Sequence, residues 1–177
     1  MGIPGGGKST WIRSNLPSDA FVCSADHFFV NDHGIYIWKK ELLHKAHRVC
    51  FDKYLAALDM SDVSCVVVDN TNTKRADMRQ YVVEANNRGY DVNIVAITVD
   101  PEVAAQRNVH GVPNETIKKM YSQIQNTIKL CWQQHLRGND YGLTDPGPLN
   151  WYMWAITQIC WSTWSQIQYL GWLRLYL

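Results

Sequence analysis

The first ten residues carry the feature that most constrains what this chain can fold into. Residues 2–10 read Gly-Ile-Pro-Gly-Gly-Gly-Lys-Ser-Thr, which fits the pattern G-x-x-x-x-G-K-[ST]. In this pattern the glycines let backbone N–H groups turn inward around an anion, and the following helix adds its N-terminal dipole. Lys8 would reach the β- and γ-phosphates of a nucleotide, and the Ser9 hydroxyl could hold Mg²⁺. The pattern therefore predicts a phosphate-binding loop made of Gly2, Gly5, Gly6, Gly7, Lys8, Ser9 and Thr10.

The remainder of the chain alternates between strand-like and helix-like patterns. Apolar runs at residues 20–26, 63–69 and 91–99 predict buried strands, and amphipathic helices are predicted between and after them. This alternation is typical of an α/β fold with a parallel sheet flanked by helices and right-handed crossovers. A phosphate-binding loop of this kind normally follows a strand, but only Met1 precedes Gly2. We therefore predict a P-loop NTPase fold that lacks its first strand.

Two acids and one arginine follow the predicted strands. Asp26 ends the first apolar run, Asp69 ends the second, and Arg107 lies on a short helix after the third. Phosphoryl transfer needs a positioned acceptor, neutralisation of the transferring group and a base. With Lys8, these residues form a candidate catalytic set, in which Asp26 is the base, Asp69 joins Ser9 at the metal and Arg107 closes over the phosphates. The alternatives are turn or helix capping for the two acids and a surface salt bridge for Arg107.

Charge and cysteine content argue against a broadly basic nucleic-acid-binding protein and against a disulfide-bonded one. Lys and Arg number 17 against 16 Asp and Glu, a net charge of +1. This leaves no broad basic field, so any contact with nucleic acid must be local. The 5 cysteines form no C-x-x-C pair, and most have apolar neighbours. Buried free thiols in a reducing compartment are the better interpretation, and with no signal peptide ahead of the loop we expect a cytoplasmic or nuclear protein.

The composition changes towards the end of the chain, where most of the 8 tryptophans lie. We divide the sequence into a P-loop domain at 1–136, a Gly/Pro/Asp-rich linker at 137–150 and a Trp-rich apolar tail at 151–177. The tail could be a packed or partner-binding helix, a nonfunctional appendage, a membrane anchor, or a segment that fills the place of the missing strand. Glutamines interrupt every window long enough to span a bilayer, so a membrane anchor is the least favoured interpretation.

Four motifs in this order resemble those of the polynucleotide-kinase-like P-loop kinases, a family of AAA-type ATP-binding domains. The Nedd-four-binding-protein-two type is the most similar in appearance. The motifs are Gly2–Thr10, Ser24-Ala25-Asp26, Val68-Asp69-Asn70-Thr71-Asn72 and the segment 106–113, and the resemblance covers about residues 1–130. It implies that Lys8 and Ser9 bind ATP and Mg²⁺, that Asp26 is the general base and that Arg107 is the lid arginine.

Two positions depart from the family pattern. Phe29 stands where polynucleotide kinases place an arginine that holds the acceptor's phosphate, and Asn70 stands where they carry an acid.

The sequence supports two hypotheses about function. The chain is an ATP-dependent kinase that transfers the γ-phosphoryl to a hydroxyl acceptor, either a nucleic-acid 5′-hydroxyl or a small hydroxylated substrate. Alternatively, it is an ATP-binding module or weak ATPase without transferase activity, a truncated product included. The sequence indicates no particular protein partner.

Overall fold

The computed structural model describes residues 1–136 and 155–157, with side chains described up to residue 130. The helices in this part are α1 (Lys8–Asn15), α2 (Leu43–Leu58), α3 (Arg75–Asn87), α4 (Pro101–Gln106) and α5 (Asn114–Leu136). The strands are β1 (Phe21–Cys23), β2 (Val66–Val68), β3 (Ala96–Thr98) and β4 (Ala155–Thr157). Short 3₁₀ turns cover Ala25–Phe29 and Lys40–Leu42.

The strands form two parallel pairs. β1 pairs with β2, and β3 pairs with β4. Gly2 adds an isolated parallel bridge to Ile97 of β3. The α/β class and the parallel sheet are therefore confirmed, and within the described residues no strand lies between β2 and β3. Each strand is shorter than the apolar run that predicted it, and within the described residues β2 is paired along one edge only.

Part of the predicted tail forms β4. The N–H of Ile97 is bonded to the carbonyl of Met1, so the edge of β3 nearest Met1 is taken, and β4 lies on the other edge. At residues 155–157 the hypotheses of a helix and of a segment filling the missing strand's place are therefore both wrong. The predicted linker and the rest of the tail lie outside the described residues, so those domain boundaries stay predictions.

The apolar core consists of two separate clusters. The larger one surrounds β1 and β2 and is built by α2 and α3, whose buried residues recur at three- and four-residue steps, as an amphipathic helix requires. The smaller cluster joins Ile3 and β3 to α4 and α5, where Ile117 and Ile124 are fully buried.

Three of the cysteines are buried free thiols, as predicted: Cys23, Cys50 and Cys65. Burial raises the pKa of the Cys23 thiol to about 12, so this sulfur stays protonated. No helix in residues 1–136 combines the length and hydrophobicity needed to cross a membrane.

Candidate functional site

The glycine-rich loop turns directly into α1, as the sequence predicts. Gly7 precedes the helix with φ of 90°, and Gly5 has φ of 71°, both in the left-handed region that favours glycine. A Cβ on Gly5 would overlap the carbonyl of Ala104 in α4, whereas one on Gly7 would meet nothing within 4 Å. Gly5 is therefore the point where the loop backbone packs against α4.

The Lys8 ammonium folds back into this loop. The carbonyl of Ile3 accepts hydrogen bonds from the Gly6 N–H at 3.0 Å and from Lys8 Nζ at 3.2 Å. Burial lowers the pKa of Lys8, while the nearby carboxylates of Asp69 and Asp26 act in the opposite direction. The loop thus holds a partly desolvated amine beside the N-terminus of α1, an arrangement that attracts an anion.

Ser9, in the first turn of α1, contacts Asp69, which directly follows β2. The Ser9 hydroxyl donates to Asp69 Oδ2 at 2.7 Å, and Asp69 Oδ1 is buried with no hydrogen-bond partner in the described part of the chain. Mg²⁺ prefers oxygen ligands and is commonly held by one or two carboxylates together with substrate phosphates and water. A hydroxyl beside a carboxylate with one unused buried oxygen fits that chemistry, so Ser9 and Asp69 could hold the metal.

Asp26 projects from the 3₁₀ turn that follows β1, and that turn is fastened to the end of β2. The Ser24 hydroxyl donates to the carbonyl of Asp69 at 2.9 Å and accepts from the Asp26 N–H at 3.3 Å. The Ala25 N–H donates to Asn70 Oδ1 at 2.9 Å. The side chain that caps the turn is that of Ser24, which leaves the exposed Asp26 carboxylate available to the site.

Tyr36 contacts Asp26, a contact that no sequence pattern predicts. A hairpin bridged between Val30 and Tyr36 brings the tyrosine back over the turn, where its hydroxyl donates to Asp26 Oδ1 at 3.0 Å. The same ring lies 4.7 Å from the ring of His110. Desolvation and the adjacent Asp26 charge raise the pKa of Tyr36, so it remains a donor. The turn signal at Asn31–Gly34 predicts the reversal, but no spacing rule identifies the side chain that it delivers.

Arg107 lies at the C-terminal end of α4, exposed to solvent. The ion pairs found in the described residues involve Arg88, and Arg107 takes part in none of them. The loop after it is ordered by Asn108, whose Nδ2 donates to the carbonyl of Val112 at 2.8 Å. Because α4 packs on Gly5, Arg107 is carried on an element that touches the phosphate-binding loop.

Phe29 and Asn70, the two residues that depart from the family pattern, are both buried. Phe29 is 4 % exposed and packs edge-on against Phe28 and Tyr36, so it offers no polar group to an acceptor. Asn70 is 6 % exposed and uses its amide to hold Ala25 and to contact Cys50 Sγ at 3.4 Å. The structure thus brings Lys8, Ser9, Asp69 and Asp26 to one end of the sheet, and it gives Asn70 a supporting place beneath them.

Comparison with known proteins agrees with this geometry. Residues 1–125 match the family model described as an AAA domain, AAA_33. NEDD4-binding protein 2 from Homo sapiens is 29 % identical over 136 residues, which is 73 % of this chain and 8 % of that protein, so the chain spans a small part of its relative. In a solved structure, that of the Pnkp1/Rnl/Hen1 RNA repair complex, one chain superposes with a TM-score of 0.59 at 19 % identity, over 73 % of this chain and 44 % of the other, which supports the P-loop kinase-like fold. This chain belongs to the AAA domain family.

Proposed function

We propose that this chain is an ATP-dependent kinase that transfers the γ-phosphoryl of ATP to a hydroxyl acceptor. The observation that carries the proposal is the convergence of a loop amine, a hydroxyl–carboxylate pair and a second, exposed carboxylate at one end of the sheet. A nucleotide-binding module alone needs the first two of these. The exposed Asp26 is the additional group that an acceptor hydroxyl requires.

The roles follow from position. The backbone N–H groups of Gly5–Thr10 and the Lys8 ammonium bind the β- and γ-phosphates of ATP. Ser9 and Asp69 would hold Mg²⁺, which would supply positive charge beside the transferring phosphoryl group. Asp26 accepts the proton of the acceptor hydroxyl, and Tyr36 holds that carboxylate in place. Arg107 swings from the end of α4 towards the phosphates and adds positive charge.

The acceptor is proposed to be a 5′-hydroxyl of nucleic acid or a small hydroxylated molecule. The structural neighbour in an RNA repair complex favours the first class. The buried Phe29 offers no polar group to an acceptor phosphate, which favours an acceptor bound mainly by its hydroxyl and its rings. Exposed apolar residues close to Tyr36 in sequence, Ile35, Ile37 and Trp38, would support ring contacts.

The deciding experiment is transfer of labelled γ-phosphate from ATP to a panel of 5′-hydroxyl RNA, 5′-hydroxyl DNA and small alcohols. We expect transfer to one class, loss of it in Asp26→Asn and in Lys8→Ala, and unchanged activity in Asp62→Asn, an exposed acid away from the site. Full activity in Asp26→Asn would contradict the assignment of the base.

The second candidate function is an ATP-binding module or weak ATPase without transferase activity. The observation that favours it is the buried Phe29 at the position where polynucleotide kinases place an arginine that holds the acceptor's phosphate. Saturable ATP binding that depends on Lys8, together with no phosphorylation across the whole panel, would decide for this candidate.

A further inference from the structure

The loop between α4 and α5, residues 107–113, contacts both sides of the candidate site. Near its start it lies against the phosphate-binding loop, because a Cβ on Gly5 would be only 3.2 Å from the backbone nitrogen of Asn108. Two residues further on, the ring of His110 lies 4.7 Å from the ring of Tyr36, between centroids, at an interplanar angle of 51°. The hydroxyl of this tyrosine bonds the carboxylate proposed as the base. The loop therefore joins the nucleotide side of the site to the acceptor side.

Hydrogen bonds within the loop fix where His110 lies. The side-chain amide of Asn108 donates through Nδ2 to the carbonyl of Val112 at 2.8 Å, and its Oδ1 accepts from the His110 N–H at 3.2 Å. Gly111 follows with φ of 65°, in the left-handed region that favours glycine. Arg107 directly precedes this turn. A contact that holds His110 therefore also holds the backbone that carries Arg107.

The ring of Tyr36 has two aromatic neighbours. Phe29, which is buried, lies 6.0 Å away, and His110, which is exposed, lies 4.7 Å away. Aromatic rings pair favourably at centroid distances of about 4.5–7 Å. Because the Tyr36 hydroxyl reaches Asp26 Oδ1 at 3.0 Å only when the ring is correctly turned, these neighbours decide whether the bond persists. His110 is the neighbour that can be replaced without disturbing the core.

We propose that His110 is a positioning residue, which acts through Tyr36 to hold the loop that carries Arg107 beside the Asp26 carboxylate. This inference rests on the proposed kinase function. With the loop held between Gly5 and Tyr36, only the side chain of Arg107 has to move to reach the phosphates, and less ordering is required during the reaction. The imidazole contacts a ring and not the carboxylate, so the role requires its ring and not its proton.

The first measurement needs neither ATP nor an acceptor. Trypsin cleaves after arginine, and cleavage of a folded protein follows the population of locally opened molecules. We expect cleavage after Arg107 to be roughly two- to tenfold faster in His110→Ala, the effect of losing one aromatic pair. His110→Phe keeps a ring and should match the unaltered chain, as should His33→Ala, which removes an exposed imidazole from the turn of the hairpin. Cleavage after Arg88, at the end of α3, is the reference for overall folding.

The second measurement compares kcat for phosphoryl transfer with the affinity for ATP. His110→Ala should lower kcat severalfold and leave ATP affinity unchanged, and His110→Phe should restore kcat. Tyr36→Phe separates the two contacts of the tyrosine, because it keeps the ring and loses the hydroxyl. It should lower kcat while the bond after Arg107 stays as protected as in the unaltered chain.

Three results would overturn the proposal. Unchanged cleavage after Arg107 in His110→Ala would show that the ring does not hold the loop. Equally fast cleavage in His110→Ala and His110→Phe would show that the aromatic contact is not what holds it. Faster cleavage with an unchanged kcat would show that the contact is structural only. Absence of transfer in every form, the unaltered chain included, would instead refute the proposed function, and the cleavage rates would still decide whether His110 holds the loop.

Discussion

Replacing Asn70 by Ala tests how the turn that carries Asp26 is held. Asn70 is 6 % exposed, and its Oδ1 is the acceptor for the N–H of Ala25, which is itself 5 % exposed. Removing the amide leaves that N–H buried and unpaired, at a cost of about 1–3 kcal/mol, and it also removes the contact with Cys50. Against a typical stability of about 5–15 kcal/mol this is a large fraction.

The assay is urea unfolding of Asn70→Ala beside Asn15→Ala. Asn15 makes a comparable hydrogen bond to the carbonyl of Trp11 at 2.8 Å, but at an exposed position, so its loss should cost within about 0.5 kcal/mol. Faster exchange of the Ala25 amide should accompany the destabilisation in Asn70→Ala alone. If the two variants unfold at the same urea concentration, or if the Ala25 amide keeps its protection, the proposed fastening of the turn is refuted.

Three further predictions concern the loop, the amine and the lid. Gly5→Ala should destabilise the protein far more than Gly7→Ala, since both have positive φ but only the Cβ at Gly5 meets the backbone of α4; comparable Tm values would contradict this close contact. Burial lowers the pKa of the Met1 amine from its ordinary value of 8.0 to about 5, so between these pH values the unfolded chain binds more protons and the free energy of unfolding rises with pH. Nα-acetylation should remove this rise, which amounts to up to roughly 4 kcal/mol. If the free energies of unfolding of the acetylated and unacetylated proteins change with pH in the same way, the buried amine is not the source of the rise. Arg107→Ala should lower kcat for phosphoryl transfer by about 10²-fold or more with little change in ATP affinity measured by titration, and a loss confined to affinity would show that Arg107 binds the ground state.

Local sequence rules were sufficient for the parts of the fold that one segment determines alone. The loop at Gly2–Thr10 is specified by its own glycines, and Asp26 and Asp69 follow β1 and β2 at a common edge because the carboxyl ends of paired parallel strands meet there. The buried residues of α2, which include Ala46, Cys50, Tyr54 and Ala57, recur at the three- and four-residue steps typical of an amphipathic helix.

The features that the sequence did not reveal all depend on contacts between distant segments. Tyr36 reaches Asp26 only because a hairpin folds back, and Gly5 packs on α4 only because β3 places that helix beside the loop. The strand at Ala155–Thr157 was missed because its pattern is weak and its partner lies about 60 residues away, where pairing overrides local propensity. The role of Asn70 is equally hidden in the sequence, since nothing local shows that an amide there bonds the turn after the neighbouring strand β1.

The bond between the Lys8 ammonium and the carbonyl of Ile3 has a consequence for how a phosphate would arrive. The charge of Lys8 has already lost much of its hydration when the chain folds, so an incoming nucleotide exchanges one oxygen partner for another rather than stripping a fully solvated amine. Part of the cost of desolvating Lys8 therefore falls on folding and not on nucleotide binding. A phosphate entering the loop would therefore meet a donor that has already lost part of its hydration.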